Sequence, residues 1–260
     1  MGSLAGKSPS NTFKSLLKVA DETNGVSTTT SQIEDGEGTS TCVSIGDDNL
    51  QIAPQNDNTT TTFRVRDTSG NALLAVDTTN SCVKVNATQT YANTQLLEFT
   101  AYRIVPVAGR HYFVPCGGNS FAGHLAELDN GAGTDPDTSL DAGTSTDELV
   151  NMLFYVPANI TIDGVRFMVS TDTDTDTTIN VHLYSYRLAN SGGTSDGNID
   201  QGALLANGQA TSVDRNVIKT VSCSIDSADV TSGKVLACFV ENETNTDDIN
   251  IRVQVLYHIN

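Results

Sequence analysis

The chain has 260 residues, 38% hydrophobic and 6% aromatic, with 21 Gly and no Trp, and its wealth of Thr, Asn, Asp and Ser suits many short strands joined by tight turns, so an all-β fold is expected. Its 14 Lys and Arg against 31 Asp and Glu give a formal charge of -17, which removes the phosphate attraction that nucleic-acid binding depends on and excludes DNA and RNA as expected partners. No apolar run is long enough to span a bilayer and no apolar h-region follows Met1, so neither membrane insertion nor secretion is expected, and the scattered Cys42, Cys82, Cys116, Cys223 and Cys238 read as free thiols.

Residues 1–24 differ in pattern from the rest of the chain. Phe13, Leu16, Leu17 and Ala20 fall at i, i+3, i+4 and i+7, one face of a helix, while Lys14 and Lys18 lie off it. A helix this short is not stable alone and needs a surface to lie on. Phe13, Leu16, Leu17, Lys14 and Lys18 are therefore the expected anchor to a larger assembly, with packing on the protein's own body as the alternative. Residues 25–62 alternate apolar residues (Val26, Ile33, Val43 with Ile45, Leu50 with Ile52) with turns such as Asp35-Gly-Glu-Gly38. With the next segment they read as an elongated β shaft over residues 25–95.

From Phe63 to Asn86 three short strands are expected, each with one apolar face: Phe63 and Val65, then Leu74 and Val76, then Val83 and Val85. So few large side chains cannot offset roughly 1 to 2 kcal/mol of backbone entropy per ordered residue. Another surface has to be supplied, and two further copies of the chain about a threefold axis would supply it. These six residues are the expected trimer contacts.

The run Phe-x-Val-x-Asp-x-x-Gly-Asn-x-Leu-Leu-x-Val-Asp over residues 63–77 resembles the β-rich shaft modules of tailed-phage virion proteins: tail fibres, spike adaptors and capsid-attached fibres. The start Asn11-Thr-Phe-Lys-Ser-Leu-Leu-Lys-Val19, with Gly25-Val26 and Glu34-Asp-Gly-Glu-Gly38 after it, resembles the N-terminus of some marine-phage structural proteins. The resemblance implies a homotrimer in the virion, assembled in the host cytoplasm and attached to other virion proteins of capsid or tail through its N-terminus. It also implies a projecting head.

Residues 96–260 carry denser strands: 96–107, 112–114, 150–156, 160–169, 179–186, 217–225, 235–240 and 249–259. Strands joined by turns, with no helical period, indicate an antiparallel β-sandwich head, with a jelly roll first and another Greek-key sandwich second.

No catalytic constellation is legible, so no enzyme and no cofactor are expected. The histidines at 111, 124, 182 and 258 are far apart, and His182 and His258 sit on the strand face opposite the apolar residues, which reads as surface or interface. Asp172, Asp174 and Asp176 have the alternate spacing of a calcium loop but lack its central Gly and closing Glu, and they form a weak metal candidate. The Gly, Asp and Thr segment 121–149 reads as a long loop that contacts a partner subunit or a host surface glycan. The alternative functions are a carbohydrate-binding module, with Tyr184 and Tyr186 standing in for Trp as a stacking platform, and then a glycan-degrading enzyme.

Overall fold

A computed structural model of the protein describes residues 16–21, 23–86, 90–117, 128–140, 146–189 and 198–260. The chain divides into two compact units, Met1–Ala92 and Asn93–Asn260. It is an all-β protein in both.

The N-terminal unit contains two antiparallel four-stranded meanders, β1 (Lys18–Val19), β2 (Ser31–Glu34), β3 (Ser40–Ile45) and β4 (Leu50–Ile52), then β5 (Phe63–Arg66), β6 (Ala72–Asp77), β7 (Cys82–Val85) and β8 (Thr90–Tyr91). The hairpins β2–β3 and β5–β6 are built by the same turn. Asp35 Oδ1 accepts the amides of Glu37 and Thr39, and Asp67 Oδ1 accepts those of Ser69 and Asn71. Each turn places a glycine three residues after its Asp at positive φ, Gly38 at 85° and Gly70 at 86°, where a side chain would be strained.

The expected N-terminal helix does not reach Lys18. That residue and Val19 form β1, opposite Glu34 and Ile33, and Lys18 Nζ lies 3.1 Å from Glu34 Oε1. The edge of β2 offers what a single helical turn cannot, a partner for the backbone: the Ala20 amide donates to the Gln32 carbonyl at 2.8 Å. Leu16 and Leu17 are exposed, and Phe13 and Lys14 lie outside the described residues.

In the C-terminal unit the elements are β9 (Thr94–Ile104), β10 (Arg110–Val114), β11 (Asp129–Ala132), α1 (Thr146–Met152), β12 (Leu153–Tyr155), β13 (Ile160–Thr171), β14 (Thr177–Ala189), β15 (Asn198–Val213), β16 (Lys219–Ser222), β17 (Ser224–Ile225), β18 (Asp229–Val230), β19 (Lys234–Asn242) and β20 (Ile249–Ile259). One sheet runs β16-β13-β20-β9, with β18 beside β13. The other runs β11-β10-β19-β14-β15-β17, with β12 beside β19. Taken through the eight main strands β9, β10, β13, β14, β15, β16, β19 and β20, the chain changes sheet at every step except β14→β15, which is jelly-roll topology. Phe99, Phe167 and Val253 from the first sheet meet Leu183, Leu236 and Val240 from the second in the core between them.

Two expectations in this unit are corrected. Val150 to Met152, expected in a strand, end α1, whose Leu149 and Met152 pack on the outer face of the second sheet. The longest strand, β15, has no counterpart among the expected strands, which pass from 179–186 to 217–225, and it contains two glycines, Gly202 and Gly208. These glycines mark close approaches: a Cβ on Gly202 would lie 2.5 Å from the Tyr186 ring and 2.9 Å from Thr138 Cα, and one on Gly208 would lie 2.9 Å from Cys223 Sγ.

The N-terminal unit owes more to polar contacts. Asp77 is fully buried; its carboxylate accepts from the Asn80 side-chain amide at 2.8 Å and lies 3.0 Å from Lys84 Nζ. The Asn80 hydrogen bonds first, and Lys84 with them, hold its carboxyl well below the usual range, at about 2. A carboxyl depressed in the folded state stabilises fully above its unfolded value and loses that contribution as pH falls through the folded one. Asp77→Ala is expected to cost about 2 kcal/mol at neutral pH, with the difference from wild type shrinking between about pH 4 and pH 2. Chemical denaturation followed across that range measures it.

Candidate functional site

The six expected trimer contacts lie together. In the register of β5, β6 and β7, Phe63 stands opposite Val76 and Val76 opposite Val83, while Val65 stands opposite Leu74 and Leu74 opposite Val85. Two apolar rows thus cross one face of the sheet. Phe63, Val65 and Val83 are 37%, 42% and 39% exposed. On the other face Ala75 is flanked by Arg64 and Lys84, and among the described residues before Asn93 it is the one apolar side chain that is fully buried.

The other cluster of note is in the jelly roll, on the outer face of the second sheet. His111 on β10 stands opposite Glu241 on β19, and Asn180 on β14 stands opposite Glu241 from the other side. His182, two residues beyond Asn180, shares that face. The two imidazoles meet edge to face with centroids 5.0 Å apart, and His111 Nε2 is 3.6 Å from Glu241 Oε2. Asp135 approaches from the segment after β11, its Oδ1 3.9 Å from His182 Nδ1. His111, Glu241 and His182 are 0%, 3% and 6% exposed.

All four ring nitrogens of His111 and His182 are shielded from solvent and lack a hydrogen bond of normal geometry among the described residues, the Gly131 backbone offering His111 only a weak contact. Burial, which disfavours the charged ring, lowers the pKa of both; for His182 the neighbouring His111 adds to it and the value falls to about 4. At neutral pH the rings are therefore uncharged and each retains a nitrogen lone pair. Glu241 is fixed from the side: Asn180 Nδ2 donates to its Oε2 at 2.8 Å, and Gln209 Nε2 donates to Asn180 Oδ1 at 2.9 Å. His182 and Glu241 line a cleft of about 700 Å³ whose wall includes Asn207, Gln209 and Glu243.

The surface reading of His182 and His258 is thereby corrected. His258 is buried with its Nδ1 2.9 Å from Asp163 Oδ1. The face that His182 shares with Tyr184 and Tyr186 is a second core, in which those tyrosines pack against Phe113 and Phe239. Tyr184 and Tyr186 are consequently no sugar-stacking platform. Their alternation with His182 was the available signal, since it makes both faces of β14 apolar, as in a strand covered on both sides. His124 lies outside the described residues.

The acidic loop has internal partners. Asp174 Oδ1 accepts from Arg215 Nε at 2.7 Å and from Asn216 Nδ2 at 2.8 Å, and Asp172 accepts the Asp248 amide at 3.0 Å. Among the described residues, the three metal-type side chains whose ligand atoms lie within 4.8 Å of one another are His111, His182 and Glu241, and Asp172, Asp174 and Asp176 form no such group. The described part of the long loop, residues 128–140, also packs on its own protein: Tyr186 donates its hydroxyl to the Asp137 carbonyl at 2.8 Å, and Leu140 bridges to Ile199.

No protein-family model matches the chain, and no curated protein matches its sequence. A solved structure with a weak likeness to it is a CocE/NonD family hydrolase from Staphylococcus aureus, at 8% identity and a TM-score of 0.32, over 68% of this chain and 39% of that one. Likeness at that level carries nothing about activity, and the chain spans well under half the length of that hydrolase.

Because the imidazole of His182 is buried without a hydrogen bond, replacing it by a side chain with no polar atom removes a desolvation cost. His182→Leu is expected to leave stability in a chelating buffer unchanged or raised by up to about 1 kcal/mol. Thermal melting of the two proteins side by side checks this; a loss of stability would mean that the ring has a partner.

Proposed function

We propose that the protein is a non-enzymatic structural component of a tailed-phage virion, self-associated as a homotrimer through its N-terminal unit and presenting a jelly roll from the particle. The observation that carries this reading is the β5–β7 face, where two rows of apolar side chains lie in register in a unit whose described residues bury almost no apolar side chain. A face of this kind is costly in water, and a threefold axis would bury three copies of it against one another without leaving an open edge for further growth. The virion setting rests on the resemblance of residues 63–77 and of the N-terminal segment to phage shaft and attachment sequences. The acidic surface argues against nucleic-acid contact, and among the described residues no helix is long and apolar enough to cross a membrane.

Light scattering on the purified protein is expected to give three times the 27.5 kDa chain mass. Val65→Asp combined with Val83→Asp is expected to yield monomers whose circular dichroism retains the jelly roll. A wild-type monomer with cooperative unfolding would end the trimer reading. Gold labelling of the N-terminus on intact particles tests the virion setting separately.

A second reading, carbohydrate binding, is favoured by the cleft beside His182, where amide and carboxylate side chains of Asn180, Asn207, Gln209 and Glu243 converge as hydroxyl-rich ligands require. Binding of the wild-type protein to immobilised glycans tests it.

A further inference from the structure

We propose that His111, His182 and Glu241 bind one divalent first-row transition-metal ion, with Zn²⁺ as the reference case, beside the polar cleft of the jelly roll that His182 and Glu241 line. All three ligands stand on β10, β14 and β19, so the site is independent of how the N-terminal unit self-associates.

The first argument is the state of the rings. A histidine kept only for its shape still turns a ring N–H toward a carbonyl, a carboxylate or water, because a buried polar atom without a partner is costly. Here two neighbouring histidines, both more than nine-tenths buried, leave all four nitrogens without a hydrogen bond of normal geometry among the described residues, with only a weak contact from the Gly131 backbone to His111, and they do so beside a buried carboxylate. An ion placed between the rings and Glu241 satisfies one nitrogen of each ring and neutralises the carboxylate in the same step.

The donor set selects the ion. Two imidazole nitrogens with one carboxylate oxygen suit Zn²⁺ and its first-row neighbours, whereas Ca²⁺ and Mg²⁺ take oxygen ligands throughout. The five cysteines are not part of the set: Cys238 lies on the opposite face of β19, in the core between the sheets, with Cys116 and Cys223 packed against that core.

The distances are those of an unliganded site. The three ligand atoms lie within 4.8 Å of one another, and the His111 to Glu241 pair is already at 3.6 Å. A tetrahedral ion with bonds of about 2.0 to 2.1 Å holds its ligands roughly 3.3 Å apart, so side-chain rotations close the difference. The hydrogen bonds from Gln209 to Asn180 and from Asn180 to Glu241 do for the carboxylate what an outer partner does at a metal centre, fixing which oxygen points inward. The position facing the cleft stays open to water or to Asp135, whose Oδ1 already sits 3.9 Å from His182 Nδ1.

The test uses the full-length protein, stripped with EDTA and dialysed. Zn²⁺ is titrated by calorimetry and Co²⁺ by visible absorption near neutral pH. The expected result is one ion per chain, a Co²⁺ d–d spectrum without a thiolate charge-transfer band, and a raised melting temperature. His111→Gln and His182→Gln are each expected to abolish that binding, and Asn180→Ala to weaken it about tenfold. Circular dichroism of each variant confirms its fold. In the wild type alone, imidazole NMR resonances of two histidines should shift on Zn²⁺ addition, which keeps the test decisive even where a variant fails to fold. The proposal is overturned if the folded, stripped wild type takes up neither ion, if both histidine variants bind as the wild type does, or if Ca²⁺ competes on equal terms, which would place the ion on surface carboxylates.

Discussion

Strand β19 has no side that faces water. From Val235 to Asn242 every residue is buried, and the strand is hydrogen-bonded along one edge to β10 and β12 and along the other to β14. Leu236, Cys238 and Val240 point into the space between the two sheets, while Val235, Ala237 and Phe239 point outward, where a second apolar layer has to cover them. Helix α1 contributes Leu149 and Met152 to that layer. A jelly roll whose outer face were simply wetted would not need it, so the double burial of one central strand determines how the surrounding segments are used.

The polar residues in the outer layer answer to the same constraint. Buried polar atoms need partners, and toward one end of the layer the Tyr186 hydroxyl finds them, donating to the Asp137 carbonyl and accepting from Asn130 Nδ2. Toward the other end β19 continues past Phe239 to Glu241, and the strands on either side place His111, Asn180 and His182 around it. The amide of Asn180 finds its partners, while among the described residues the imidazoles find none of normal geometry. One layer therefore contains a network in which the tyrosine hydroxyl is satisfied, though Asn130 Oδ1 is not, and a second whose imidazoles are not, and the second borders the cleft.

The N-terminal unit solves a different problem with different means. Its hairpins close through Asp side chains that accept two backbone amides each, and Asp77 is held between Asn80 and Lys84. Such contacts specify geometry but bury little apolar area, and the hydrophobic contribution scales with that area. Six of the unit's apolar residues, Phe63, Val65, Leu74, Val76, Val83 and Val85, are collected on one face of β5–β7, with Phe63, Val65 and Val83 left more than a third exposed. A jelly roll with two apolar layers and a β unit whose described residues bury little apolar surface thus share one chain.

The all-β class, the alternation of β13, β14 and β20, and the grouping of Phe63, Val65, Leu74, Val76, Val83 and Val85 on one face were legible in the sequence, because the side-chain period of a strand is local and survives without knowledge of what lies opposite. What surrounds a face is not local. Val150 to Met152 read as strand from their apolarity, yet they end a helix. Strand β15 is absent from the expected strands because it carries Gly202 and Gly208, and only the packed partners, the Tyr186 ring, Thr138 and Cys223, reveal that a strand passes there too close for a side chain. Lys18 read as helical because the edge of β2 that captures it is supplied by residues further along. Most of all, His111, His182 and Glu241 carry no spacing signal, lying 71 and 59 residues apart in succession; they become neighbours only because jelly-roll topology inserts β19 between β10 and β14. Sequence periodicity decided which way each side chain points, and tertiary structure decided whether water, an apolar layer or another polar group would be waiting there.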